Sequence, residues 1–133
     1  MAKKQKQGLT LMELIVVLAL LAILAAVLVP LFLNTTDRAR LRTDIQSARV
    51  IQNAIDLYRV ETGRTLTGSV SDMMTTLGNA GYLNLRNNTI QTEGAEWESY
   101  NGAIRVNVTN SPQSVRDAVA NLAENEREMV RGG

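Results

Sequence analysis

Residues 14–33 read LIVVLALLAILAAVLVPLFL, twenty consecutive apolar residues. Coiled as a helix, a run of that length spans about 30 Å, the thickness of a bilayer's hydrocarbon core. The segment therefore reads as a transmembrane helix. A cleavable secretory signal is the competing reading, because a basic stretch precedes the run near the N-terminus. Against it, the run exceeds the usual apolar core of such signals, about 7–15 residues, and no strict Ala-x-Ala site follows. Leu24-Ala25-Ala26 is the nearest approach. A buried soluble helix fails on size, since the rest of a 133-residue chain is too small to cover twenty apolar residues on all sides.

Composition narrows the chemistry. The chain has no cysteine and no histidine, which removes disulfide frameworks, thiol nucleophiles, imidazole bases and the usual zinc and haem ligand sets. No motif pairs a nucleophile with its base, so an enzyme is not expected, and neither is a cofactor. The three lysines (Lys3, Lys4, Lys6) all precede residue 9, and the remainder carries 11 arginines against 13 acidic residues. That balance argues against a nucleic-acid partner, which calls for a basic excess. Charge counting does not orient the helix, because Lys3, Lys4 and Lys6 on one flank face Arg38, Arg40 and Arg42 on the other. Glu13 stands out. It sits at the edge of the apolar run, where an ionised carboxylate costs several kcal/mol unless it is paired or held at the interface.

Lys3-Lys4-Gln5-Lys6-Gln7-Gly8 followed by Leu9-Thr10-Leu11-Met12-Glu13 and an apolar helix resembles the class III leader of type IV pilins and type II secretion pseudopilins. The resemblance implies that a prepilin peptidase cuts between Gly8 and Leu9 and that the new N-terminus at Leu9 is methylated. Most members carry Phe where this chain has Leu9. It also implies that Glu13 pairs with the N-terminal amine of a neighbouring subunit during assembly. Physics is consistent with that role, since an amine one turn from Glu13 would offset much of the acid's burial cost. Pro30 matches a proline common in the family. It removes one backbone hydrogen bond, and because the helical pattern resumes after it, a bend is expected rather than an end.

Beyond the apolar run, Leu41, Ile45, Ala48, Ile51, Ile55 and Tyr58 recur at steps of three and four, leaving one apolar stripe along a helix. Arg38, Arg40, Arg42, Asp44, Arg49 and Arg59 read as lying mostly off that stripe, and Gly63 as its stop. A helix from residue 9 to about 63 would be roughly 80 Å long. Residues 55–64 also resemble the end of the long helix in major and competence pseudopilins, although Thr65-Leu66 replaces the family's Tyr-Pro. Ser71 is the expected cap of a short helix over residues 72–77, stopped by Gly78. Gly81-Tyr82-Leu83 then looks like the start of the family's sheet.

Asn101-Gly102 is the preferred dipeptide of a two-residue type I′ hairpin. It sets Tyr100 opposite Ala103, Glu98 opposite Arg105 and Trp97 opposite Val106, with Trp97, Ile104, Val106 and Val108 on one face. Glu93, Glu96 and Glu98 have the oxygens for calcium but not the spacing of an EF-hand loop. They read as two solvated strand carboxylates and a loop acid, and no metal is expected. Ser111-Pro112 reads as a helix start, with Val115, Val119, Leu122 and Met129 at helical spacing to about Val130.

The expected fold is α+β and pilin-like: a long N-terminal helix, half transmembrane and half amphipathic, packed on a small antiparallel sheet, with a C-terminal helix. The expected parts are a leader peptide over 1–8, a transmembrane or filament-core helix over 9–33 and a periplasmic or extracellular globular domain over 34–133. The resemblance implies a structural subunit that waits in the inner membrane, leader in the cytoplasm, and then joins a homo-oligomeric helical filament. Implied partners are the prepilin peptidase, an inner-membrane assembly platform and minor pilin-like subunits. A secretion or competence pseudopilus fits better than an adhesive or motility pilus, because the globular part is small and lacks cysteines. Direct DNA binding in uptake, through Arg38, Arg40, Arg42 and Arg49, is the alternative from another class. The interleaved Asp37 and Asp44 favour a plain solvated face there.

Overall fold

The computed structural model describes the backbone of residues 2–133, and the side chains of residues 10–32 and 35–133. The chain divides into two compact units, Met1–Leu33 and Asn34–Gly133. Helix α1 is assigned over Ala2–Thr62. In the first unit it passes through Pro30 without ending, as the resumed pattern requires. No side chain from Thr10 to Phe32 is buried.

The second unit, the cap, is built around the later part of α1. Gly63, at φ +69, ends that helix by donating its N–H to the Arg59 carbonyl at 2.9 Å, a left-handed position that glycine takes without a Cβ penalty. Helix α2 (Val70–Asn79), a 3₁₀ turn (Leu85–Asn87), strands β1 (Glu96–Tyr100) and β2 (Ala103–Asn107), helices α3 (Gln113–Ala120) and α4 (Glu124–Arg127), and strand β3 (Val130–Arg131) follow. The expected stripe is the spine of the core. Leu41, Ile45, Ala48 and Ile51 are buried to 1% exposure or less, each aliphatic side chain contributing about 1.5–3 kcal/mol when fully covered. Leu41 and Ile45 join Val106, Val115 and Leu122 in one cluster. Ala48 and Ile51 join Met73, Leu77 and Ile104 in a second. Trp97 and Met129 pack against both.

The hairpin has the register set by its turn: Trp97 opposite Val106, Glu98 opposite Arg105 and Tyr100 opposite Ala103. Asn101 and Gly102 hold the positive φ values, +52 and +79, that a type I′ turn demands. The sheet order is β1-β2-β3, and here the expectation of an antiparallel sheet needs correction, because β3 runs parallel to β2. The cause is the far side of β2. The N–H groups of Val106 and of Val108, just past the strand's end, bond the carbonyls of Met129 and Arg131 at 2.9 and 2.8 Å, satisfying donors that burial would otherwise strand. The C-terminal helix is corrected for the same reason. It ends at Ala120, where Asn121 and Leu122 make tighter bonds to Ala118 and Val119. An unbroken helix would carry Val130 about 15 Å beyond Ala120 and leave β2 uncovered.

Four local expectations also change. Ser69, not Ser71, caps α2, its hydroxyl accepting the Asp72 N–H at 3.1 Å. The helix runs past Gly78 and stops at Gly81, φ +84, where Tyr82 and Gly81 bond the Leu77 and Gly78 carbonyls in a Schellman closure. Gly78 lies inside the helix, where the absence of a side chain makes room for Leu85: a Cβ there would lie 2.9 Å from it. Tyr82 and Leu83 open no strand. Leu83 is buried against α2, and the ring of Tyr82 stands edge-on to Tyr58 at 5.5 Å. Ser111 does not cap α3. Its side chain is buried, while Pro112 supplies the first carbonyl, to Val115 and Arg116.

Candidate functional site

No pocket among the described residues gathers groups suited to catalysis. The groove between α2, the 3₁₀ turn and β1 holds about 660 Å³ and is lined by Met74, Leu85, Ile90 and Trp97, with Glu96 its one charged residue. The candidate site is instead the apolar helix itself. Its large side chains from Leu11 to Phe32 are 51–72% exposed. At about 1.5–3 kcal/mol for each such side chain left in water, the uncovered segment costs on the order of tens of kcal/mol, so lipid or other chains must enclose it. By length and composition this helix can cross a membrane.

Two of the sequence-derived site residues lie on that surface. Glu13 is exposed near its start, one helical turn after residue 9, and Pro30 is exposed near its end. Gly8 and Leu9, the expected cleavage and methylation positions, lie outside the residues whose side chains are described. Four Arg residues were candidates for phosphate contact. Of these, Arg42 is paired with Glu126 of α4, Nε to Oε1 at 3.3 Å, while Arg40 and Arg49 are exposed.

The carboxylates of β1 also separate. Glu98 accepts hydrogen bonds from Arg105 Nε at 2.7 Å and from Arg131 Nη1, tying β3 to β1 across β2. Burial pushes its carboxyl up, but the two hydrogen bonds and the guanidinium charges outweigh that and hold it below the usual carboxylate range. Glu98 is thus a structural ion-pair hub, not the solvated acid that its strand position implied. Among the described residues, no group of three acids converges as a metal site would require.

Asp44 is the residue that sequence reasoning placed wrongly. It is fully buried, and its two oxygens accept the backbone N–H groups of Gln91 and Thr92 at 2.8 Å each. The signal was available. Asp44 lies three residues after Leu41 and four before Ala48, on the stripe and not beside it. Tyr82 is tied in a related way, donating its hydroxyl to Glu61 at 2.5 Å, and that bond, with burial and the Glu61 charge, raises the phenol's pKa.

Comparison with known proteins bears on the same N-terminal surface. Residues 3–29 match the family model described as the prokaryotic N-terminal methylation motif. The chain is 31% identical over 64 residues to the type II secretion system core protein G of Aeromonas hydrophila, covering 48% of this chain and 45% of that one. It is 34% identical over 61 residues to the protein of the same description from Pseudomonas aeruginosa, covering 46% and 43%. With the prepilin peptidase-dependent protein A of Clostridium perfringens it shares 32% over 77 residues, 58% and 54% of the two chains. The chain spans about half the length of the curated relatives it matches. No solved structure matches it. The chain therefore carries a prepilin-type methylation motif and is homologous, over about half its length, to type II secretion core protein G.

Proposed function

We propose that this protein is a structural subunit of a pilin-like filament of the type II secretion kind, and that its work is assembly. The observation that carries the reading is the apolar surface of residues 11–32, exposed throughout and lying largely within the methylation motif matched over residues 3–29. Such a surface is stable in only two settings, a bilayer and a bundle of like helices, and a subunit that passes from membrane to filament uses both.

In this reading residues 1–8 are a leader removed after Gly8, and the amine of Leu9 is methylated and remains cationic. Residues 9–33 anchor the precursor in the inner membrane and later pack in the filament core, with the cap, residues 34–133, outside the membrane. Glu13 is the selective element. Its carboxylate meets the Leu9 amine of a neighbouring copy, and each charge offsets the cost of burying the other. Pro30 lets the helix adjust locally in the bundle, because one backbone hydrogen bond is absent there. The peptidase, an assembly platform and minor subunits are the partners such a route requires.

The test is the intact mass and N-terminal sequence of the protein extracted from its native membrane. A chain beginning at Leu9 with one added methyl supports the reading; one beginning at Met1 or Ala2 refutes it. Glu13→Ala should then leave insertion and cleavage unchanged and reduce filament yield, and a normal yield would remove Glu13 from the mechanism.

A further inference from the structure

The solvent side of α1 within the cap is uncovered in a regular way. Thr43, Gln46, Val50, Asn53, Leu57 and Val60 follow one another at alternating steps of three and four, and all six are exposed, Val60 at 79%. None is charged, although Arg49, Asp56, Arg59 and Glu61 stand among them. The stripe is separate from the face of Leu41, Ile45, Ala48 and Ile51 that meets the core. Alternation of three and four approximates the 3.5-residue period of helices that pack lengthwise on other helices, with flanking charges setting the partner and polar positions such as Gln46 and Asn53 setting the register. Counted back along the sequence, the same steps reach Phe32, Val29, Ala25, Ala22, Leu18 and Ile15 without meeting a charge. One register thus continues into the segment assigned above to the filament core.

We propose that this stripe is a helix-packing seam for further copies of this chain, parallel to one another and shifted by seven residues, so that Val50 of one copy packs on Leu57 of the next. The proposal rests on the filament reading, and it specifies which part of the cap the copies share and in what register. Parallel packing follows from a common membrane orientation. The shift follows from charge. Without a shift, Asp56 of each copy would face Glu61 of its neighbour, two like charges on the seam's border. A shift of seven residues brings Arg49 to Glu61 instead, and Glu61 has an oxygen available because only Oε2 receives the Tyr82 hydroxyl. The same shift sets Arg40 near Arg42, whose charge is already met by Glu126. A shifted contact uses different ends of the stripe on the two partners, so it does not close into a dimer but propagates as a filament.

The native chain has no cysteine, which makes the register directly readable. Residues seven apart on one helix are about 10 Å apart, too far for a disulfide within a chain. Val50→Cys/Leu57→Cys in the full-length protein, expressed in its host and oxidised after filaments form, should therefore give a ladder of dimers, trimers and longer species. Either single variant should stay monomeric. Dimers from each single variant, without a ladder from the double, would overturn the seven-residue shift. Normal filaments with no cross-link in any variant would overturn the seam and leave the filament reading standing. If the unmodified chain forms no filament, both readings fall. Charge reversal gives a second readout: Arg49→Glu should abolish filaments, and adding Glu61→Arg should restore them. Failure of the pair to restore, with cap melting unchanged, would remove the Arg49–Glu61 contact from the proposal.

Discussion

Replacing Asp44 with alanine should be the most damaging single change in the cap outside its aliphatic core. The carboxylate holds the Gln91 and Thr92 amides at 2.8 Å each from a fully buried position. A hydrogen bond to a charged group contributes about 1.5–3 kcal/mol, and a buried donor left unpaired costs about 1–3 kcal/mol. Gln91 is exposed and Thr92 buried, so water can replace the first bond but not the second. The net cost is then about 2–4 kcal/mol, against roughly 5–15 kcal/mol for a domain of this size. At about 4–8 °C per kcal/mol, the melting midpoint should fall by about 8–32 °C. Asp44→Asn retains one acceptor and should fall between the variant and the native protein. Trp97, the chain's single tryptophan, packs against both core clusters, so its fluorescence during urea unfolding of the full chain in detergent reports the cap directly. A change below about 0.5 kcal/mol, the size of an ordinary surface substitution, would refute the anchoring role.

Two further outcomes are expected. Because Glu98 has a folded pKa below its ordinary value of 4.5, the unfolded chain binds the extra proton. The stabilisation it gives is therefore complete above about pH 4.5 and is lost as pH falls through the folded value; Glu98→Gln should flatten the pH dependence of the urea midpoint below pH 5, and an unchanged slope would remove the hub. Trp97→Ala, followed by circular dichroism, should cost about 2–3 kcal/mol, less than the ~3–5 kcal/mol of a fully buried ring because Trp97 is only partly covered, and a negligible shift would contradict its contacts with both clusters.

The features legible in the sequence were those that repeat. The twenty-residue apolar run, the stripe from Leu41 to Tyr58 and the alternation about Asn101-Gly102 each state one geometric rule several times, so that no single residue carries the inference. The illegible features depend on contacts between distant segments. Strand β3 is two residues long and exists because β2 has an unmet edge, which no local pattern announces. Ser69 and Ser71 are equivalent as caps by composition, and what separates them is where Val70 must turn to reach the core. Gly78 and Gly81 look alike in sequence, but the first makes room for Leu85 and the second takes the left-handed φ that ends the helix.

Asp44 shows where the line falls between these two kinds. A period-based reading sorts residues by hydrophobicity first and position second, so an acid on an apolar stripe is assigned to the solvent side by its chemistry. Position says otherwise, since three residues from Leu41 and four from Ala48 leave no other face. When chemistry and position disagree, a buried acid must find donors, and residues 89–94, between the 3₁₀ turn and β1, belong to no helix or strand that would occupy their amides. The two shortages satisfy each other in the Asp44 bonds to Gln91 and Thr92. Glu13 poses the same disagreement at the edge of the apolar run, with one difference that decides function. Asp44 finds its donors inside the cap, whereas Glu13 lies on the stretch of α1, residues 10–32, whose apolar side chains are all exposed, so in the filament reading its partner comes from another copy. A polar residue out of place on an apolar face marks an anchor, and the burial of that face within its own unit decides whether the anchor serves folding or assembly.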